Sequence, residues 1–464
     1  MNKITAAFLY LMLCSTAIAS TLTHGPMVGH TSHTTVSIWV RADEACDFRA
    51  SATPKSGDGS IFSNAVSLTE ENNFCGSVQI EGLKPLTNYI YKIFLNDVEQ
   101  APLVAQEFRT FPLPGQKGIV RIGIGHSLIG SGEQTTWQTI QSQKPDLFIL
   151  MGDNIYSDST EPAKQRRMYL QFRADPYFRS FCASTPIYAI WDDHDYGKDN
   201  SDRTQPGRER SLKTFNEIWC NPTSQALESP GIWTSFTVGG AEFFLLDVRY
   251  HRSPNKDLDS PEKTMLGAEQ RDWLVNSLAK SNAIFKFPVS GSSWNCGGKE
   301  AWNHRFMYEY DLILSQIAKR RIPGIILLGG DQHFCKIGVR PGDSWRGYDL
   351  HEWMAGQLWT RAKDVDNRAF GMITLDTTAT PPEAKLEFID AHGNPREGRR
   401  IIYTELGTLR ALLDSPPGTV MDPPPDRWTL SGELKRSTGA LWDAMPISTG
   451  ETLTLEDLQW PESQ

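Results

Sequence analysis

The stretch 147-LFILMGDNIYSDST-160 runs apolar residues straight into Gly152, Asp153, Asn154, Tyr156 and Asp158. An apolar run bounded by Pro145 and Gly152 reads as a buried strand of a parallel sheet, and the carboxyl ends of such strands open onto the ligand crevice. The pattern recurs. The run 187-IYAIWDDHDYG-197 ends in Asp192, Asp193, His194 and Asp195, and 325-IILLGGDQHF-334 ends in Gly330, Asp331 and His333. A single acidic turn after a strand is ordinarily a helix cap. Three of them together would crowd like charges into a low-dielectric crevice, which forces protonation or calls for cations. Metal ions are the simplest remedy, and a layered α/β fold is the simplest way to bring three strand ends together.

The rest of the chain fits that frame. With 464 residues and 39% apolar side chains it can bury more than one core, which excludes disordered and fibrous classes. A net charge of −9 argues against a nucleic-acid-binding surface. The opening MNKITAAFLYLMLCSTAIAS has Lys3, an apolar core through Leu13 and the small-residue site Ala17-Ile18-Ala19. It reads as a signal peptide over residues 1–19, with lipid attachment at Cys14 as the weaker alternative. An exported (periplasmic or extracellular) protein with no transmembrane segment is expected. Cleavage leaves six cysteines, for which the pairs Cys46–Cys75, Cys182–Cys220 and Cys296–Cys335 are expected, buried free thiols being the alternative.

From Thr21 to Pro112, short alternating runs such as 35-TVSIWVRAD-43 and 88-NYIYKIFLN-96 predict a small β-sandwich over residues 21–112. The piece 83-LKPLTNYIYKI-93 resembles a strand entry of fibronectin type III modules, with Tyr89 or Tyr91 bonding back to the backbone at the corner. The Pro/Gly linker 111-FPLPGQKG-118 leads into alternating strand and helix patterns, a catalytic domain over 118–410. Helices are predicted near 133–143, 162–172, 209–219, 267–280 and 304–320, and 385-KLEFIDAHGN-394 with 400-RIIYTEL-406 reads as a hairpin. A C-terminal extension, 411–464, begins with a Pro-rich connector.

In this order behind the sandwich, GDNIYSD, WDDHDYG, LLDVRYHR, MLGAEQRDWL and GGDQHF resemble the alkaline phosphatase D (PhoD-like) family of secreted metallophosphoesterases, over about Gly25 to Asp376. The resemblance implies a four-layer α/β/β/α domain and metal-dependent attack on phosphate esters. It assigns Asp153 as the aspartate bridging two metals, Tyr156 as a phenolate ligand, Asp193 and Asp331 as ligands of the second metal and His333 of the first. His194 would sit beside the leaving-group oxygen as proton donor. The oxygen-rich set implies calcium with iron, or else manganese or magnesium. One departure stands out: the family's first strand ends in Gly-Ser-Cys, and this chain has 125-GHS-127. Ser127 therefore occupies the cysteine's position, and His126 is the alternative ligand or a hydrogen-bonded strand-end histidine. Arg249 and Arg252 follow another strand, either as clamps on phosphate oxygens or as salt-bridge partners. The loop 198–213 is either a substrate rim or a solvated face.

The expected activity is hydrolysis of a small-molecule or polymeric phosphate ester by a metal-activated water, with His194 protonating the departing oxygen. Neither a Gly-x-Ser-x-Gly elbow nor a P-loop is present. The alternatives are a phospholipase-type phosphodiesterase with a groove lined by tryptophans, and a secreted binding protein with a decayed site.

Overall fold

The computed structural model of the protein describes residues 20–128, 134–359 and 368–407. The expected signal peptide, the cleavage site at Ala19 and the whole extension over 411–464 lie outside them. Among the described residues no helix is long and apolar enough to cross a membrane.

Residues Leu22 to Arg109 form two facing sheets, one of three strands and one of six. They alternate apolar residues inward around a core of their own that includes Val36, Ile38, Phe48, Tyr89, Ile93 and Phe108. The corner residue is Tyr89, whose hydroxyl accepts a hydrogen bond from the Lys84 amide at 2.9 Å. Tyr91 instead reaches out of the module and donates to the Ala183 carbonyl at 2.8 Å.

Two larger sheets follow. The first is seven-stranded, with Ile187–Ile190, Leu147–Met151 and Ile119–Leu128 running parallel. Ala369–Asp376, Glu383–Asp390 and Pro395–Ile402 continue it antiparallel, and the last two form the hairpin expected around Gly393. The second sheet is six-stranded, with Ala241–Leu245, Phe285–Ser290, Leu327–Gly329 and Leu350–Met354 parallel in its centre. One apolar core joins the two sheets, from Phe148, Ile149 and Ile190 on the first to Phe243, Phe287 and Leu328 on the second. Helices cover the outer faces. Trp137, Phe172, Phe178 and Phe181 from three helices pack on the first sheet, while Ala268–Lys280 and Met307–Lys319 cover the second through Leu274, Leu278, Tyr310 and Ile317.

Where the sequence pattern predicts one helix over 304–320, the chain forms two. A turn at Phe306, with φ of −134° and ψ of 42°, separates Trp302–Arg305 from Met307–Lys319.

The outer edge of Ile187–Ile190 is closed by side chains in place of another strand. The Asn221 amide accepts from Ala189 N–H at 3.0 Å and donates to Ala189 C=O at 2.6 Å. Beside it, the Tyr188 hydroxyl bonds both the N–H and the C=O of Thr31 in the N-terminal module. The Arg173 guanidinium, wholly buried, lies between the rings of Trp39 and Trp219 and fastens the module at a second point.

The cysteine pairing is corrected. All six described cysteines are free thiols. Cys46 lies in the core of the N-terminal module whereas Cys75 packs into the core of the large sheets, so the expected partners face different interiors. Cys182 Sγ points at the Pro26 carbonyl, Cys220 packs on Gly29, and Cys296 faces the Lys336 carbonyl while Cys335 lies against Gly356. Burial raises the pKa of all six thiols, which therefore behave as small apolar groups.

The two sheets meet at glycines. A Cβ on Gly330 would stand 2.6 Å from the Met151 carbonyl and 2.7 Å from that of Gly291, so no larger residue fits where the strand ends converge. Gly330→Ala is expected to lower unfolding stability by about 1–3 kcal/mol, read by urea denaturation; an unchanged midpoint would mean that the strand ends can part at no cost.

Candidate metal centre

The convergence that needs these glycines also brings the acids together. Asp153 follows the Leu147–Met151 strand, Asp192 and Asp193 follow Ile187–Ile190, and Asp331 follows Leu327–Gly329. Donor atoms of Asp153, Asp193 and His194 lie within 4.8 Å of one another, a separation at which one cation can serve all three. Asp153, Asp192 and Asp193 are each at most 3% exposed.

Local backbone geometry serves this arrangement. Ser127, Asp153, Asp158, Asn200 and Asp331 all hold left-handed φ values, between 47° and 72°. Asp and Asn tolerate that region better than most residues, but each such turn still costs roughly 1–3 kcal/mol and persists only where its surroundings enforce it. At Ser127 and Leu128 the enforcement is visible: their amides donate to the carbonyls of Gly152 and Asp153, which locks the two strand ends together.

Asp153 Oδ2 accepts from the Tyr156 hydroxyl at 3.2 Å and sits 3.4 Å from Ser127 Oγ. The Tyr156 hydroxyl is also 3.1 Å from His333 Nε2, so Tyr156 links Asp153 to His333. Burial, then the Asp153 charge, hold the Tyr156 proton firmly on its oxygen. A phenolate there needs a cation beside it. His194 stacks on the Tyr156 ring at 4.1 Å and bonds Asp158 Oδ1 through Nδ1 at 2.6 Å, with Asp199 3.8 Å from Nε2. Burial alone would lower the His194 pKa, but Asp193 and the Asp158 hydrogen bond outweigh it and raise it. His333 goes the other way, since burial and His194 favour its neutral, ligating form.

Like charges leave their mark on the carboxylates. Burial first, then Asp193 and Asp192, push the Asp153 pKa far up. Asp192 is raised to about 8, by burial against the pull of Arg249, and Asp331 to about 6, by burial and then Glu300. Asp153 Oδ1, Asp192 Oδ2 and Asp193 Oδ1 are buried with no hydrogen-bond donor. Buried, unpaired carboxylate oxygens are strongly disfavoured, and hard divalent cations take such oxygens as ligands. The residues therefore fit a metal centre.

Two expected site residues are corrected. Arg249 follows its strand as predicted but is 0% exposed, and its guanidinium is spent on protein partners. Its Nε lies 2.5 Å from Asp192 Oδ1, Nη2 is 3.0 Å from Glu300 Oε2 and 3.7 Å from Asp193 Oδ1, and Nη1 reaches the Ser201 carbonyl at 3.2 Å. It cannot clamp a substrate. Arg252 is likewise buried, against Glu300, Asn255 and the Phe306 ring. His126 offers no free lone pair, because Nε2 donates to the Ala355 carbonyl at 2.8 Å and Nδ1 accepts from Ser127 Oγ at 2.7 Å. Burial and His333 depress its pKa to about 3, so it stays neutral.

Sequence reasoning named Asp192 and Asp158 among the strand-end acids without giving either a role of its own, and it missed Asp199 and Glu300. Glu300 lies in the loop 295-NCGGKE-300, whose Gly297 and Gly298 turn it back over Gln332, and no local pattern ties it to the strand ends.

Residues 125–342 match the family model described as PhoD-like phosphatase. The chain carries a PhoD-like phosphatase domain. Residues 19–113 match a domain of unknown function. Alkaline phosphatase D of Bacillus subtilis is 22% identical over 315 residues, 55% of this chain and 52% of that protein. Purple acid phosphatase 23 of Arabidopsis thaliana is 25% identical over 218 residues, 41% of this chain and 45% of that protein. The chain thus spans about half the length of the curated relatives it matches. A solved PhoD structure superimposes with a TM-score of 0.68 at 17% identity, covering 83% of this chain and 93% of that one. Purple acid phosphatase PPD1 from yellow lupin seeds gives 0.61 at 13%, over 87% and 78%. All the motifs of the metal centre fall inside the matched domain, and both structural likenesses establish the fold.

The geometry at Ser127 makes a distinction testable. Ser127→Cys is expected to raise iron retention, since a thiolate 3–4 Å from Asp153 Oδ2 would be a stronger and softer donor than the hydroxyl. His126→Ala is expected to leave metal stoichiometry unchanged. Elemental analysis of the two purified variants checks both, and metal lost from His126→Ala would put that imidazole back among the ligands.

Proposed function

We propose that this protein is an exported, metal-dependent hydrolase of phosphate esters, a phosphomonoesterase or phosphodiesterase of the alkaline phosphatase D type. The observation that carries the reading is the cluster of Asp153, Asp193 and His194 at the strand mouths of a PhoD-like phosphatase domain. Export rests on the signal-like first 19 residues. The reading includes a two-domain division at residues 113–117, a fibronectin-like N-terminal module and a four-layer α/β/β/α catalytic domain reaching 410.

Asp153, Tyr156 and His333 would hold one cation and Asp153, Asp193 and Asp331 the other, with Ser127 beside the first. When bound, two such ions lower the pKa of water toward neutrality and neutralise phosphoryl oxygens, and the oxygen-rich second set suits calcium, manganese or magnesium, with iron at the tyrosine side. His194 acts through its own geometry. Asp158 accepts from Nδ1–H, and when the ring is protonated its Nε2–H is the proton that a departing alkoxide needs. The Asp193 charge and the Asp158 hydrogen bond, which raise the His194 pKa against the effect of burial, favour that protonated form. Asn200 holds Asp193 in position, its amide donating to Asp193 Oδ2 at 2.6 Å.

Retention of the whole donor set argues against a decayed site. A lipid groove lined by tryptophans finds no support either, because nine of the eleven described tryptophans are buried, and Trp273 and Trp359 are half-buried.

Asp153→Asn is expected to cut hydrolysis of chromogenic mono- and diesters by at least about a thousandfold, since one carboxylate serves both ions. It should also lower bound metal while leaving circular dichroism unchanged. Metal analysis and rate are measured on the same preparation. A variant that keeps both its metal and its rate would end the two-metal reading.

A further inference from the structure

The buried ion cluster behind the metal centre contains a cation of the protein's own. Asp192, Asp193 and Glu300 all face the Arg249 guanidinium, and the side chains of Arg249, Asp192 and Glu300 are 0% exposed. No strand or helix pairing requires that arginine. A permanently charged side chain buried this deeply survives only if its charge is matched, and a carboxylate cluster survives only if its own is. The planar fork does both at once: one edge takes Asp192, the other takes Glu300, and Nη2 leans toward Asp193. Arg252 contributes a second guanidinium to Glu300 at 3.3 Å but reaches none of the four aspartates Asp153, Asp192, Asp193 and Asp331 in an ion pair. Arg249 is thus the link between the metal-facing acids and the charges behind them.

We infer that Arg249 is a positioning residue that acts as a resident counter-cation, holding Asp192 and Asp193 in place in the protein before metal binds. The inference rests on the metal-centre reading. In this role the arginine neither touches substrate nor binds metal. It lowers the cost of assembling the carboxylates, so that the chain folds with its ligands already set. Without Arg249, the same carboxylates would depend on the metal for their charge balance.

The test compares thermal unfolding of the full chain in EDTA with unfolding in calcium chloride. Arg249→Met is expected to widen the difference between the two melting temperatures at least about twofold over the unsubstituted protein, because calcium can supply charge that the side chain no longer does. Arg249→Lys, which keeps the charge and loses the fork, should fall between. The double variant Arg249→Met/Glu300→Gln removes one charge of each sign and should recover much of the melting temperature lost in EDTA. A purely structural arginine predicts otherwise: equal losses with and without calcium, and no recovery in the double variant. Either of those results overturns the inference, as does failure of both the single and the double variant to fold in calcium. The metal-centre reading fails separately, if calcium and manganese leave the melting temperature of the unsubstituted protein where EDTA leaves it and no metal copurifies.

Discussion

Everything at the centre of this molecule follows from repulsion between carboxylates that the fold forces together. Two sheets share one apolar core, and their strands end at the same mouth because glycines there admit nothing larger. Asp153, Asp192, Asp193 and Asp331 arrive together as a consequence, and burial with the neighbouring carboxylates makes the charged forms of Asp153, Asp192 and Asp331 costly. The protein answers in layers. Arg249 offsets the charge from behind, backbone amides such as that of Asn200 hold individual oxygens, and Asp153 Oδ1, Asp192 Oδ2 and Asp193 Oδ1 are left buried with no hydrogen-bond donor. What is left unpaired is what a cation can use.

The strand ends were legible in the sequence because a buried parallel strand must be continuously apolar and must stop where polarity begins. Leu147–Met151 and Ile187–Ile190 announce themselves in that way, and with them Asp153 and Asp193. Tyr156 and His333, which meet at 3.1 Å, were found through the family resemblance. Arg249 was found as a position and misread as a role, since nothing in 247-DVRYHR-252 reveals that Glu300 waits 51 residues later to bury it. The cysteines were misread for a related reason: even number and compartment permit disulfides, but pairing needs both thiols in one interior. The antiparallel half of the first sheet was read only as a hairpin, because Ala369–Asp376 carries no motif to mark it.

The N-terminal module has a mechanical relation to the site. It holds the strand that leads into Asp192 and Asp193 through Tyr188 on Thr31, and the helix Pro162–Ala174 through Arg173 between two tryptophans. Side chains there do what another strand would do. Asn221 presents an acceptor and a donor to the Ala189 N–H and C=O, so these edge groups are already satisfied.

The strand order also dictates when the site can exist. Ile119–Leu128 lies in the middle of the first sheet, between Leu147–Met151 and Ala369–Asp376, and its last residues pair with Gln357–Trp359. During synthesis its neighbour on one side emerges within about twenty residues and its neighbour on the other only after more than two hundred. Contacts of such separation fold slowly, since the loop must be closed before the pairing repays it. Until the far strand arrives, the half-built sheet exposes one flank of its central strand, and the N-terminal module, synthesised first, guards only the opposite edge.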